Sequence, residues 1–170
     1  VVIAGGVSTL EEIIKLEKMG CDVQLGMALY KGLVSLKDAF IGCLNWEKAQ
    51  ESSNGLIPVI AQSTSDEVLM MGFANKEAFE KTFATDKLTF FSRTRNVLWT
   101  KGETSGHHLA VKKLRVDCDR DTVLATVEPN GGVCHTGSFT CFNAEADAKS
   151  NMERLYKVIA DRFANPKPGS

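Results

Sequence analysis

The chain has 170 residues, enough for one ordinary domain or one domain with appendages. An apolar fraction of 44% beside 24% charged residues is the composition of a soluble globular protein, and a net charge of −1 offers no basic field that would favour nucleic acid. No apolar run is long enough to span a bilayer, and VVIAGGVSTLEE lacks the basic n-region and long apolar core of a signal peptide. Five cysteines, an odd number, argue against a fully paired disulfide framework and for a reduced, cytoplasmic setting. The missing initiator Met suggests a trimmed or excerpted chain.

Residues 1–47 read as two strand–helix units. Val1 to Ala4 is a short apolar strand that ends at Gly5-Gly6. Ser8 with Glu11 predicts a capping box, and Leu10, Ile13, Ile14 and Met19 give the apolar stripe of a helix that stops at Gly20. Val23-Gln24-Leu25 is a second strand, ending at Gly26. A further helix follows, with Ser35 as N-cap and Leu36, Ala39, Phe40 and Cys43 facing inward.

Glu51-Ser52-Ser53-Asn54-Gly55 reads as a linker into a segment of different character, residues 55–143. There LIPVIAQ, EVLMMGFA, LTFFSR, VLWTK, LAVKKLRVDC and TVLATVEP are strand-like, and one helix over Lys76 to Phe83 is capped by Asn75. Residues 144–170 form one amphipathic helix with Met152, Leu155, Tyr156, Ile159 and Phe163 on its stripe. A lone helix of that length is marginal in water and must dock on something. The fold class is therefore α+β, with a compact, mostly β middle.

The chemistry concentrates in residues 117–141. Asp117-Cys118-Asp119-Arg120-Asp121 is followed by Cys134-His135 and Cys141. Thiolates select zinc, and carboxylate oxygens select magnesium or calcium, so this stretch can serve one soft and one hard ion. Three protein ligands on zinc leave a fourth position for water, the mark of a catalytic site. If LRVDCDRD is a regular strand, its side chains alternate. Asp117, Asp119 and Asp121 then share one face and Cys118 projects from the other, which predicts two separate metal sites. Cys118 can meet Cys134 and Cys141 across the fold or across a subunit interface. His135, adjacent to a ligand, is the natural general base or proton shuttle, with His107 and His108 as alternatives for a ligand or acid. A plainer reading stands beside this one. Isolated cysteines are most often small buried hydrophobes, and Cys21 and Cys43 are read that way. Alternating aspartates often mark a solvated edge, and Cys134 with Cys141 can also pair as a disulfide.

A second stretch is polar, basic and punctuated by glycine: Ser92-Arg93-Thr94-Arg95, then Trp99-Thr100-Lys101-Gly102-Glu103-Thr104-Ser105-Gly106-His107-His108. Free backbone N–H groups, hydroxyls and Arg or Lys heads are the groups that hold a phosphate, and Trp99 offers a stacking surface for a base or sugar. The plain alternative is a surface loop with incidental charge. The H-x-E and P-C-x-x-C patterns of nucleobase deaminases do not occur.

Together WTKGETSGH, VDCDRD, VCHTG and TCF resemble the signature of phosphoribosyl-AMP cyclohydrolase, an enzyme of histidine biosynthesis, over about residues 55–143. The stretch Met71 to Asn75 departs from the family's usual turn, and His108 stands where the family varies. The resemblance implies a zinc- and magnesium-dependent hydrolase in which activated water attacks C6 of the adenine ring of phosphoribosyl-AMP. It implies that Cys118, Cys134 and Cys141 hold zinc, with Cys118 donated across a homodimer, and that Asp117, Asp119 and Asp121 hold magnesium. His135, with His107 as the alternative, manages the proton. Arg93, Trp99, Lys101, Glu103, Thr104, Ser105 and Gly106 bind the substrate. The flanks resemble neighbouring enzymes of the pathway. Residues 1–47, with AGGVSTLEEI and LGMALYKG, are similar to the last two βα units of the phosphoribosylformimino-AICAR-phosphate isomerase (β/α)8 barrel, too small a part to carry isomerase activity. Residues 144–170 are similar to the first helix of phosphoribosyl-ATP pyrophosphohydrolase. This implies a slice of a multifunctional polypeptide. From a different class, a zinc-stabilised binding module without catalysis is the competing expectation.

Overall fold

The computed structural model describes residues 1–142 together with 156, 158–161 and 163. Strand β1 (Val2–Ala4) and strand β2 (Asp22–Gln24) pair in parallel, joined by helix α1 (Leu10–Lys18). The capping box sits one residue later than the sequence suggests. Glu12 N–H donates to Thr9 Oγ1 at 3.2 Å, and Thr9 N–H donates to Glu12 Oε2 at 3.1 Å. Ser-Thr offers two hydroxyls in succession, and only the backbone entry angle decides which one caps. Gly20 takes the left-handed conformation just past the helix, as expected of a stop signal. Two short helices follow, α2 (Met27–Tyr30) and α3 (Leu36–Cys43), the latter capped by Ser35. Met19 and Leu36, read as core residues, are exposed.

The expected linker is instead half of a helix, α4 (Trp46–Ser53), ended by Asn54 and Gly55 in the left-handed region. Ser and Glu are tolerated in a short helix whose apolar face is anchored, and here that anchor is Ala49 in the core with Trp46 packed beside it. Trp46 Nε1–H donates to the Ile41 carbonyl at 2.7 Å, which ties α4 back to α3. Ile41 and Leu44 join the same apolar cluster as the strands that follow, so packing is continuous across residues 41–61.

That cluster is built on a four-stranded sheet in the order β4-β3-β8-β7, from β3 (Ile57–Ser63), β4 (Val68–Ala74), β7 (Leu109–Val116) and β8 (Val123–Pro129). The central pair β3–β8 is parallel and the outer pairs are antiparallel. Strict alternation buries Ile57, Val59, Ala61 and Ser63 from β3, and Val123, Ala125 and Val127 from β8, against helix α5 (Lys76–Thr85) and its neighbours. Asn75 caps α5 as its sequence predicts. Phe79 of α5 meets Phe40 of α3 and Trp46 of α4 edge-on, with ring centroids 6.0 and 6.3 Å apart. A separate hairpin, β5 (Thr89–Ser92) with β6 (Val97–Thr100), lies against α5 and β4. Its buried hydroxyls are satisfied: Thr89 N–H donates to Thr82 Oγ1 at 3.0 Å, and the Thr89 and Thr100 hydroxyls bond to each other at 3.0 Å.

In the terminal segment the described residues, Tyr156, Val158 to Asp161 and Phe163, are helical. Tyr156 and Phe163 of the expected stripe are 75% and 84% exposed. The rest of residues 144–170, Met152 and Leu155 included, lies outside the described residues. No helix among the described residues is long and apolar enough to cross a membrane.

Gly72 of β4 carries a packing constraint. A Cβ there would lie 2.4 Å from the ring of Phe90, which is fully buried and stacked on Trp99 with centroids 5.0 Å apart. A stacked, buried ring has nowhere to move. Gly72→Ala is therefore expected to lower stability by about 1–3 kcal/mol, read as a shift of the urea unfolding midpoint; an unchanged midpoint contradicts this packing.

Candidate active-site cleft and acidic loop

A cleft of about 570 Å³ opens where β6 runs into the loop after Thr100 and where the chain returns after β8. The first wall is the loop 101–108. Gly102 has φ 85°, and a Cβ there would fall 2.3 Å from the His107 carbonyl and 2.5 Å from His108 N, so backbone crosses backbone and only glycine fits. Glu103 closes the turn by accepting from Thr100 N–H through Oε2 at 3.0 Å, while Glu103 N–H donates to the Thr100 carbonyl. Asn130, just beyond β8, donates from Nδ2 to the Gly106 carbonyl at 3.1 Å and pins this loop to the second wall. Lys101, Glu103, Thr104, Ser105 and His107 all line the cleft; Gly106 supports its backbone from behind.

His107 Nδ1 lies 3.1 Å from the Gly132 carbonyl, and His108 Nδ1 lies 2.9 Å from the Lys101 carbonyl. A carbonyl oxygen can only accept, so each Nδ1 carries the hydrogen and each Nε2 is the basic nitrogen. His107 faces the cleft through a ring that lies over Gly131, where a Cβ would come within 2.6 Å of it.

The second wall is the turn around Cys134. Cys134 N–H donates to the Ser138 carbonyl, and Gly137 N–H donates to the Cys134 carbonyl, each at 3.0 Å. A Cβ on Gly132 would strike the Gly137 carbonyl at 2.5 Å, so the turn closes only because that position is bare. Cys141 is fixed by its N–H to the Leu69 carbonyl at 2.8 Å, next to Thr140, whose hydroxyl donates to the Val68 carbonyl at 2.7 Å. Thus Cys134, His135 and Cys141 meet in the cleft with the 101–108 loop.

The two thiols differ. Hydrogen bonds from Thr136, its hydroxyl 3.2 Å from the sulfur, hold the Cys134 thiol below its ordinary pKa, helped by the thiol of Cys141. Desolvation of its sulfur raises Cys141, exposed though the residue is as a whole, and the neighbouring Cys134 charge adds to that rise. The His135 Nδ1 is 3.7 Å from Cys134 Sγ.

Of the two arginines in the β5–β6 turn, Arg95 lines the cleft and Arg93 does not. The Arg93 guanidinium lies 3.9 Å over the Phe73 ring. Asn96, at φ 55°, closes that turn with its N–H on the Ser92 carbonyl. Trp99 lines the cleft with Phe90 stacked behind it. Sequence reasoning placed Arg95 in the anion-binding stretch but named only Arg93 for the substrate, and it passed over Met70 as a cleft residue.

The acidic run is not strand. β7 ends at Val116, and residues 117–122 form the connection to β8, with Arg120 in the left-handed region. Asp117 closes it: Oδ1 accepts from the N–H groups of Asp121 and Thr122, each at 3.1 Å. An aspartate that bonds backbone N–H groups ahead of it favours a turn over a ladder, which is why alternation fails as a guide here. The carboxylates converge nonetheless. Oxygens of Asp117, Asp119 and Asp121 lie within 4.8 Å of one another, the sole such cluster of potential ligands among the described residues. Lys48 of α4 pairs with Asp119 and, at 2.7 Å, with Asp121, and that ammonium holds the Asp121 carboxyl below its ordinary pKa.

Cys118 is exposed in this connection, its sulfur 3.9 Å from Asp119 Oδ1. Val116 pairs with Val123 and Leu109 with Pro129, so Cys118 lies off one end of the β7–β8 ladder and Cys134 off the other. Seven residues of β8 separate the ends by about 20 Å. Within one chain Cys118 does not reach the other two sulfurs.

Residues 70–143, which hold the whole of this cleft beyond its Met70 edge and the acidic loop, match the family of phosphoribosyl-AMP cyclohydrolase. That stretch makes up a little under half of the chain. It is also similar to proteins named histidine biosynthesis bifunctional protein HisIE. Identity is 48% over 113 residues with that of Staphylococcus epidermidis, covering 66% of this chain and 54% of the relative. It is 46% over 131 residues with that of Vibrio cholerae (75% and 60%) and 48% over 126 residues with that of Bacillus subtilis (70% and 60%). The chain thus spans a little over half the length of these relatives.

The unequal thiols have a measurable consequence. In chelator-treated protein near neutral pH, Cys134 holds the larger thiolate fraction and should be alkylated by iodoacetamide before Cys141. Peptide mass spectrometry over time resolves the order, and Cys141 reacting first contradicts the assignment.

Proposed function

We propose that this chain catalyses the hydrolytic opening of the adenine ring of phosphoribosyl-AMP, a step of histidine biosynthesis, in the cleft between loops 101–108 and 132–141. The observation that carries this reading is the convergence, within the stretch matched to the family, of a polar glycine-shaped loop with two contacting thiols and two histidines.

The donor set suits two kinds of ion. Cys134 and Cys141 present sulfurs in mutual contact, one of them already biased to thiolate, which fits zinc. Their third partner is Cys118 of a second copy, because the β7–β8 ladder keeps a chain's own Cys118 about 20 Å away. The working form is then a homodimer with a shared site. Asp117, Asp119 and Asp121 supply oxygens alone, which fits magnesium. When bound, zinc supplies a water whose pKa falls to about 7.

The chain's own residues do the rest. Lys101, the hydroxyls of Thr104 and Ser105 and the N–H groups of their loop hold the phosphoribosyl part, with Arg95 replacing Arg93 as the cleft's second cation. Trp99, braced by Phe90, offers its ring to the base. Water adds at C6 and the bond from C6 to N1 opens. A base must take a proton from the water and an acid must return one to N1. His135 beside Cys134 and His107 with its basic Nε2 turned from Gly132 fit these tasks.

We read the parallel β1–α1–β2 unit with α2 and α3 as the end of a (β/α)8 barrel, without isomerase activity, and residues 144–170, by their sequence, as the start of a pyrophosphohydrolase. The natural product is then a multifunctional enzyme of the cytoplasm. The test follows ring opening by ultraviolet absorbance with zinc and magnesium present. Cys134→Ala should lower turnover by more than ~100-fold, beyond the ~10–100-fold typical of losing a group that merely orients a ligand. Cys21→Ala, distant from the cleft, should leave it unchanged. Absence of turnover by the metal-loaded wild type, or full turnover by Cys134→Ala, defeats the proposal.

A further inference from the structure

The acidic connection is held from outside by the N-terminal helices. Asn45, N-cap of α4, donates through its N–H to the Arg120 carbonyl at 2.8 Å and through Nδ2 to the Asp119 carbonyl at 3.2 Å. The same Asn45 side chain accepts from Lys48 N–H at 3.1 Å, which sets the first turn of α4 against the loop. Glu17 of α1 pairs with Arg120. Lys48 then reaches two of the three converging carboxylates, those of Asp119 and Asp121. Its ammonium thus neutralises part of the trio's charge, as a tethered cation would.

We propose that Lys48 is a built-in competitor for the divalent cation of the Asp117–Asp119–Asp121 cluster, so that loading of this site requires Lys48 to leave and the helix–loop clasp to loosen. This rests on the reading of the trio as a hard-cation site and adds the residue that sets its occupancy. Three gathered carboxylates repel one another when no cation is near, and a lysine one helical turn from the N-cap is always at hand at high effective concentration. A divalent ion would draw on the same carboxylates, and its charge and the ammonium's repel each other across them. Its apparent affinity is therefore reduced by the fraction of chains in which Lys48 is seated. Linkage makes the effect mutual: the ion that is hindered by Lys48 also unseats it. Lys48 acts here as a positioning residue and touches no substrate.

The experiment titrates chelator-treated full chain with Mn2+, read by electron paramagnetic resonance. Asp119→Asn identifies the signal that belongs to the trio. Lys48→Met should bind Mn2+ at the trio about 5-fold or more tightly than wild type. Lys18→Met removes an equal charge from the neighbouring helix, where Lys18 pairs with Glu47, and should change affinity far less. On the unsubstituted chain, acetylation of the Lys48 amine should quicken when Mn2+ is added, which tests the idea even if Lys48→Met folds poorly. Equal affinity in wild type and Lys48→Met, an equal gain in Lys18→Met, or acetylation indifferent to Mn2+ overturns the inference and leaves ring opening untouched. Absence of any Mn2+ signal that Asp119→Asn removes overturns it together with the magnesium part of the proposed function.

Discussion

The antiparallel ladder of β7 on β8 is the constraint on which the rest depends. It ties Val116 to Val123 and Leu109 to Pro129, and so sends the acidic connection to one end of the sheet and the Cys134 turn to the other. Two clusters with different donors, oxygen and sulfur, are thereby kept apart by the length of a strand. β8 is held in register by its parallel pairing with β3 from Val59–Val123 to Ser63–Val127, and its inward residues are fully buried. A slip of one residue would turn Val123, Ala125 and Val127 out to solvent, so the core itself enforces the spacing.

Within each cluster, short-range geometry is set by positions where a side chain cannot fit. Gly102, Gly131 and Gly132 allow backbone or a ring to approach where a Cβ would lie within 2.3–2.6 Å of it. Hydrogen bonds then act on the protons: the Gly132 carbonyl accepts from the Nδ1–H form of His107, and the Thr136 hydroxyl lowers the pKa of the Cys134 thiol. The cleft's chemistry is thus shaped by backbone groups and a hydroxyl that do no chemistry themselves, as is usual where polar groups must be preorganised.

Much of this was legible in the residues. Strand-like apolar runs announced β3, β4 and β8, and Asn75, Ser35 and Gly20 marked helix ends where they occur. What escaped was governed by competition between local and distant terms. Asp117 prefers its own turn to the ladder, so the alternation of Asp117, Asp119 and Asp121 put the right carboxylates together for the wrong reason. The polar run at 51–55 lost its linker character because Trp46 and Ala49 anchor the helix before it. Arg93 and Arg95 sit in one hairpin turn, and the contact that sets Arg93 apart is with the ring of Phe73, distant in sequence.

The N-terminal helices also change what the acidic connection can be. Left to itself, a loop with three aspartates in five residues would spread to relieve its own repulsion. Here Asn45 bonds two of its carbonyls, Glu17 takes Arg120, and Lys48 takes two of the aspartates. Each of these five contacts comes from a residue before β3. The loop's conformation is therefore a property of the whole chain from α1 to β8, and any fragment that begins at β3 would carry the acidic residues without the scaffold that gathers them.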